Sequence, residues 1–180
     1  MRFARLKPAA IVAFLAAAPA MARAEPFHMA HAAFDLTQAH ADLVSDGQTR
    51  TEPDGSKSIL VTQVRLAVEG AGGGRPMIVN SLDQRRLAFD CQASTYKVIS
   101  ERLFEGLDDS APQTDKTVAA PAAMPVADDA LRDFQVFACQ GPRSVKPPMF
   151  GFQQQNQTEA VARVADDLER TLAKLVSTAR

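Results

Sequence analysis

Residues 1–24 constrain the rest of the chain most, because they have the pattern of a cleaved secretory signal peptide. The basic start of this leader consists of Arg2, Arg5 and Lys7. An apolar run over residues 9–18 follows, and it is too short to cross about 30 Å of hydrocarbon. Ala22 and Ala24 then place small side chains two apart just before Glu25. We therefore predict cleavage near Ala24 and a mature chain that is periplasmic or secreted.

The composition of the mature chain argues against nucleic acid as a partner. The 180 residues include 20 basic and 21 acidic side chains, and the leader holds four of the basic ones and none of the acidic ones. The remainder has 16 basic against 21 acidic residues, a net charge of −5, whereas sequence-independent binding of nucleic acid needs a basic surface. No later apolar stretch approaches the roughly 18 residues of a membrane-spanning helix, so no transmembrane segment is expected after cleavage.

Export determines how the two cysteines, Cys91 and Cys139, are interpreted. In an oxidising compartment an even number of thiols normally pairs, and two cysteines allow only one pairing. A redox motif places its cysteines close together as C-x-x-C, whereas these two lie far apart. A thiol nucleophile needs a histidine nearby, and all three histidines lie near the N-terminus. We predict a structural disulfide between Cys91 and Cys139.

Alternating apolar residues and turn residues predict an antiparallel sheet of about five to six strands. The predicted strands cover residues 27–33, 48–52, 58–68, 77–80, 86–91 and 95–104. The Pro-Asp-Gly sequence at 53–55 predicts the turn of the first hairpin, because Pro presets φ and Gly accepts a positive φ. Apolar residues at helical spacing predict a short helix within 36–44. The Gly-rich segment 70–76 is predicted to be a hairpin loop, and residues 107–125 a second loop.

Two helices are predicted in the second half of the chain. Asp128 begins the first helix, whose apolar residues recur at helical spacing up to Cys139. Asn156 followed by Glu159 is an Asn variant of the capping box and begins a second helix over 156–178. The apolar stripe of this helix comprises Val161, Val164, Leu168, Leu172 and Leu175. Its opposite side carries the i,i+4 pairs Glu159–Arg163 and Asp166–Arg170.

These elements predict an α+β fold in which two helices pack on one face of the sheet, with one disulfide that pins the 128–139 helix to the sheet edge. Four regions are expected. They are the signal peptide over 1–24, a disulfide-tethered α+β domain over 25–140, a Pro- and Gln-rich linker over 141–155 and a C-terminal amphipathic helix over 156–180. The apolar stripe of the last helix is either ordinary core or a surface for self-association, since a stripe alone does not name its partner.

The sequence contains no catalytic motif on which an enzyme mechanism can be built. The nucleophile-elbow, zinc-protease and phosphate-loop motifs are absent from it. We therefore predict a non-enzymatic chain with no catalytic residues and no cofactor. The alternative is a small periplasmic metal-binding protein or enzyme that uses the N-terminal histidines. Its candidate ligands are His28, His31 and His40, although residues 28 and 31 are expected on opposite faces of a strand.

Residues 88–100 (AFDCQASTYKVIS) and 104–106 (FEG) resemble the bacterial surface-adhesin protein E-like family. The resemblance is one of spacing over about residues 58–140: a strand with a cysteine, an aromatic strand, a Pro-containing loop and a short helix ending in a second cysteine. It implies a disulfide-tethered α+β fold on an exported protein, and binding of host matrix proteins for the best-known members. Cys91 and Cys139 carry over as the bridge. The expected function is adhesin-like binding of an unidentified protein partner in the periplasm or at the cell surface.

Overall fold

The computed structural model describes residues 25–69, 77–108, 110–145 and 149–178. The predicted signal peptide over 1–24 and the predicted loop over 70–76 lie outside the described residues. The strands are β1 (Glu25–Phe34), β2 (Gln38–Ser45), β3 (Arg50–Thr51), β4 (Lys57–Glu69), β5 (Met77–Asp90), β6 (Thr95–Glu105), β7 (Thr114–Thr117), β8 (Met124–Pro125) and β9 (Phe150–Gln154). The helices are α1 (Asp129–Gln140) and α2 (Gln157–Thr178). Within the described ranges, neither helix is long and apolar enough to span a membrane.

The nine strands form one antiparallel sheet in the order β7-β6-β5-β4-β2-β1-β9, with β3 paired to β4 and β8 paired to β6. This arrangement, with two helices and one disulfide, confirms the predicted α+β fold, although the sheet has more strands than the five to six predicted. Four strands were not predicted, and three of them, β7, β8 and β9, have at most five residues each, which is too short for a clear alternation pattern. β7 and β8 lie in the predicted loop 107–125, and β9 lies in the predicted linker 141–155.

The predicted helix over 36–44 is wrong, because this segment contributes to β2 in the interior of the sheet. Leu43 packs in the core under α2 and Val44 in the core under α1, and both side chains are at most 2% exposed. A strand that is covered on both faces carries apolar residues at successive positions, so part of its pattern also fits a helix. The predicted strands 77–80 and 86–91 are parts of one strand, β5.

The two helices pack on opposite faces of the sheet, whereas the sequence predicted a single face. Successive side chains of a strand point to opposite faces. In β4, Ile59 and Val61 pack under α1, near the beginning of the strand. Val64 and Leu66 pack under α2, nearer its end. The buried apolar residues of β4 are therefore odd-numbered in its first half and even-numbered in its second half, because the two halves are buried against different helices on opposite faces.

Side-chain caps begin both helices at the residues that the sequence predicted. The Oδ1 atom of Asp128 accepts a hydrogen bond from the backbone N–H of Leu131 at 2.7 Å. The Oδ1 atom of Asn156 accepts one from the backbone N–H of Glu159 at 2.9 Å. The carboxylate of Glu159 in turn accepts from the backbone N–H of Gln155 at 3.1 Å, one residue before the partner that a capping box uses.

The apolar stripe of α2 forms part of the core. Its buried members are Val161, Val164, Leu168 and Leu172, whereas Leu175 is 36% exposed. Use of this stripe for self-association would require α2 to leave the sheet. The predicted i,i+4 ion pairs are replaced by other contacts. Arg170 pairs with Asp167 at 2.5 Å, and the Arg163 guanidinium lies 5.0 Å from the centre of the Phe152 ring.

Each helix covers only about one half of its face, so the other half of each face, which is one quarter of the two faces together, is open. α1 lies over the half of β4 that contains Ile59, and α2 lies over the half that contains Leu66. On the face of α2, the open quarter surrounds Arg86. On the face of α1, it surrounds Asp83. Each open quarter carries charged side chains and borders a pocket.

Candidate functional site

The open quarter on the face of α2 contains a pocket of about 350 Å³, which we call the arginine pocket. It is lined by Arg50, Arg86, Arg102, Gln48, Gln84, Gln157, Ser100 and Leu60. Three of these side chains are guanidinium groups, and four are amides or a hydroxyl. No carboxylate belongs to this lining among the residues that the structure describes. The wall therefore combines positively charged donors with neutral amides and a hydroxyl, which can donate or accept, and its described side chains present no negative charge.

Strand pairing brings the arginines together from distant parts of the sequence. Arg86 on β5 pairs with Ser100 on β6, and Gln84 pairs with Arg102. Because residues two apart on a strand share a face, Arg86 and Arg102 are diagonal neighbours on one face. Arg50 reaches the pocket from β3, which pairs with the start of β4 on the side away from β5.

Arg86 is the most buried of the three arginines and is held by its own hydrogen bonds. Its Nη1 atom donates to the backbone carbonyl of Gln48 at 3.1 Å and lies 3.4 Å from the Ser58 hydroxyl. Burial is the main cause that lowers the pKa of the Arg86 guanidinium below its ordinary value, and the positive charge of Arg50 lowers it further. The negative charge of Glu52 acts in the opposite direction. The pocket thus holds a cation whose charge is only partly compensated.

The other two arginines lie nearer the solvent. The Nε atom of Arg102 lies 3.0 Å from Oδ2 of Asp115 on β7, and both side chains are about half exposed. Arg50 is exposed and forms no ion pair with any residue in the described part of the chain. An anion that enters the pocket therefore meets the guanidinium of Arg50, which has no carboxylate partner in the described part of the chain. It also meets the guanidinium of Arg102, which can exchange Asp115 for the anion.

The beginning of α2 closes one side of the arginine pocket. The side-chain amide of Gln157 lines the pocket and donates to the Thr62 hydroxyl at 3.1 Å. Gln157 is the first residue of α2, so the helix begins above the middle of β4. The positive end of the helix dipole consequently adds to the potential that the arginines create.

The predicted cysteine pair is a disulfide and lies outside the arginine pocket. The Cα atoms of Cys91 and Cys139 are 5.9 Å apart. Cys91 directly follows β5, and Cys139 lies in the last turn of α1. The bond confirms the predicted pairing. It joins α1 to the end of β5, which is an interior strand, so the predicted attachment at the sheet edge is wrong.

The three histidines lie on the face of α1 and do not converge on one point. A bulge at Ala30 lets His28 pair with Val44 and His31 with Asp42, so that both histidines share a face, contrary to the sequence expectation. The rings of His31 and His40 lie 5.9 Å apart.

His28 is separated from that pair. Its ring packs edge-on against Phe137 at 5.4 Å, and its Nε2 atom lies 3.7 Å from an Asp46 carboxylate oxygen. Throughout the described ranges, no group of three His, Cys, Asp or Glu side chains is placed to hold a metal ion.

The sequence reasoning missed the arginine pocket, although a signal for it was present. Gln84 and Arg86, and likewise Ser100 and Arg102, are polar residues two apart on neighbouring strands. Such pairs interrupt otherwise apolar alternation on one face, which indicates that this part of the face is not covered. The contribution of Arg50 could not be read in this way, because it depends on the pairing of a two-residue strand.

Comparisons of the chain with protein-family models, with curated proteins and with solved structures returned no match. The resemblance to the surface-adhesin protein E-like family therefore stays a prediction.

Proposed function

We propose that this chain is an exported, non-enzymatic binding protein that holds the anionic group of its ligand in the arginine pocket. The observation that carries the proposal is the wall of three guanidinium groups without a lining carboxylate. Residues 25–180 carry more acidic than basic side chains, yet the described lining of this pocket includes three arginines and no acid. Such an arrangement costs stability through mutual repulsion of the arginines, and an anion compensates that cost when it binds.

The hydrogen-bond donors that line the arginine pocket favour a carboxylate or phosphoryl group over other anions. Guanidinium groups donate two parallel hydrogen bonds to such groups, and charge-assisted bonds of this kind are the strong ones. The side chains of Gln84, Gln157 and Ser100 supply further neutral donors to oxygens that the arginines leave unpaired. An adhesin-like role would use the same chemistry, with an acidic side chain of a partner protein as the anionic group.

The lining of the arginine pocket supports binding rather than catalysis. It includes no His, Cys, Asp or Glu, so none of its described side chains is an ordinary general base or a thiol nucleophile. We place the protein in the periplasm or at the cell surface because of its leader. Mass spectrometry of the protein from its native host should find Glu25 at the N-terminus, and retention of Met1 would contradict export.

Calorimetric titration with inorganic phosphate and with acetate tests the proposal. Arg50→Gln and Arg102→Gln remove charge at the pocket mouth without removing the hydrogen bonds that Arg86 makes to the protein. Each variant should weaken phosphate binding at least about tenfold, the effect of losing one hydrogen bond to a charged group. Added salt should weaken binding further, since the mouth is exposed to solvent.

Arg132→Gln is the matched control, because Arg132 is an exposed arginine on α1 that pairs with Asp129. This variant removes the same charge from another part of the surface and should leave phosphate binding unchanged. The proposal is wrong if the unmodified protein binds neither anion, or if Arg132→Gln weakens binding as much as Arg50→Gln does.

A further inference from the structure

We propose that the open quarter on the face of α1 is a second binding site, which takes a small organic cation with an apolar body. The site is a pocket of about 270 Å³ between α1 and the sheet, and we call it the aspartate pocket. At roughly 30 Å³ for each water-sized group, it has room for about nine such groups. It lies on the opposite face from the arginine pocket and has the opposite charge balance.

Two buried carboxylates form the polar end of the aspartate pocket. Asp42, Gln63 and Asp83 are directly paired across β2, β4 and β5, so they form one row on the face of α1. Asp42 and Asp83 are each only 6% exposed. The side-chain amide of Gln63 donates to Asp42 at 2.8 Å, while its carbonyl accepts from Arg65. This bond fixes the orientation of the Gln63 amide between the two acids.

The carboxylates have fewer partners than their burial requires. Oδ2 of Asp83 pairs with Arg85 at 2.5 Å and lies 3.6 Å from Arg65, whereas Oδ1 is buried and has no hydrogen-bond partner among the residues described. Asp42 forms no ion pair within the described chain, and burial raises its pKa above the ordinary value. Unpaired buried acceptors are costly, so a cationic donor that reaches this row would relieve an existing cost.

Charge and shape together select the class of ligand. The charged lining residues are three aspartates (Asp42, Asp83 and Asp128) and one arginine, Arg85, whose side chain is 45% exposed. The remaining wall is largely apolar, with Leu131 and Phe134 from α1 facing strand residues such as Val61. A divalent metal ion prefers a full shell of oxygens, which this wall does not offer. An ammonium group joined to an apolar body fits both ends of the pocket.

A pair of ligands that differ only in charge tests the inference. 2-Phenylethylamine should bind and shift the backbone NMR signals of Gln63, Asp83 and Leu131. The neutral 2-phenylethanol, which has the same shape, should bind at least about tenfold more weakly, because it lacks the charge-assisted hydrogen bond. Asp83→Asn should reduce amine binding by a similar factor. Asp166→Asn removes one exposed carboxylate from α2 and should not change it.

Asp42→Asn provides a second variant if Asp83→Asn fails to fold, since an Asn at 42 still accepts the bond from Gln63. The inference is overturned by equal binding of the amine and the alcohol, by the absence of binding, or by signal shifts confined to residues outside the pocket. Arg50→Gln separates this site from the arginine pocket, because it should weaken phosphate binding and leave amine binding intact.

Discussion

Removal of the disulfide is the perturbation whose effect follows most directly from the structure. Cys91 and Cys139 are 48 positions apart in the chain and join the end of β5 to the last turn of α1. In the native state α1 is also held by Phe134 and Phe137, which are 4% and 2% exposed. We therefore expect the Cys91→Ala/Cys139→Ala variant to keep the fold and to lose stability mainly through its unfolded state.

The chain-entropy treatment gives the size of this loss. A closed loop of this length lowers the entropy of the unfolded chain by an amount worth about 4 kcal/mol at 25 °C. For a domain of this size, each 1 kcal/mol shifts the melting temperature by about 2–4 °C. The double variant should therefore melt about 8–16 °C below the oxidised protein. Its unfolded state is also more expanded, so the dependence of the free energy of unfolding on urea should become steeper.

Urea unfolding followed by circular dichroism measures both quantities. The control is the unmodified protein with its disulfide chemically reduced, which loses the bond and keeps both sulfur-containing side chains. It should unfold at nearly the same urea concentration as the double variant. A loss of less than about 1 kcal/mol in both proteins would refute the entropic reasoning. A loss in the variant alone would assign the effect to the packing of the cysteine side chains.

Three further predictions concern α2 and the aspartate pocket. Leu168→Ala should lower the free energy of unfolding by about 2–5 kcal/mol, because Leu168 is buried against the sheet. Leu175→Ala should lower it much less, because Leu175 is 36% exposed. Equal effects of the two substitutions would contradict the packing of α2. Asn156→Ala should cost about 1 kcal/mol in thermal unfolding through loss of the helix cap, and Asn156→Asp should restore it. Burial raises the pKa of Asp42, so the Asp42 carboxyl holds its proton more tightly in the native state than in the unfolded state. As the pH rises and Asp42 becomes charged, the native state therefore loses stability relative to the unfolded state. Asp42→Asn, which keeps the bond from Gln63, should therefore stabilise the protein at pH 7, and urea titrations should show the gain vanish below about pH 4.

Features determined by neighbouring residues could be predicted from the sequence. The predicted cap at Asn156 depends on a residue three positions away and forms as expected. The predicted start of α1 at Asp128 is also confirmed, and there the side chain caps the helix as well. The turn at 53–55 depends on the conformational preferences of Pro and Gly, and Gly55 has the expected positive φ of 83°. The disulfide was predictable for a different reason, because two cysteines allow a single pairing and the predicted export favours its oxidation.

Features determined by distant residues could not be predicted. The bulge at Ala30 changes which residues of β1 share a face, and nothing in the local pattern announces it. β9 forms because β1 offers it an edge, so its five residues resemble a linker when they are taken alone. The arginine pocket needs the register of β3, β4, β5 and β6 at once, which is information that no single segment contains.

The open quarters of the sheet follow from the lengths of its elements. β4 has 13 residues, which span about 43 Å at 3.3 Å per residue. α1 has 12 residues, which span about 18 Å, so it can cover less than half of that length. α2 is longer but begins beside Thr62, near the middle of β4, and leaves the other half of its face uncovered. The uncovered part of each face is exposed to water, and the polar residues there form two separate groups, one around Arg86 and one around Asp83. The two pockets therefore result from the same mismatch between long strands and offset helices, and an engineered extension of α1 across Asp83 should abolish amine binding while leaving the arginine pocket unchanged.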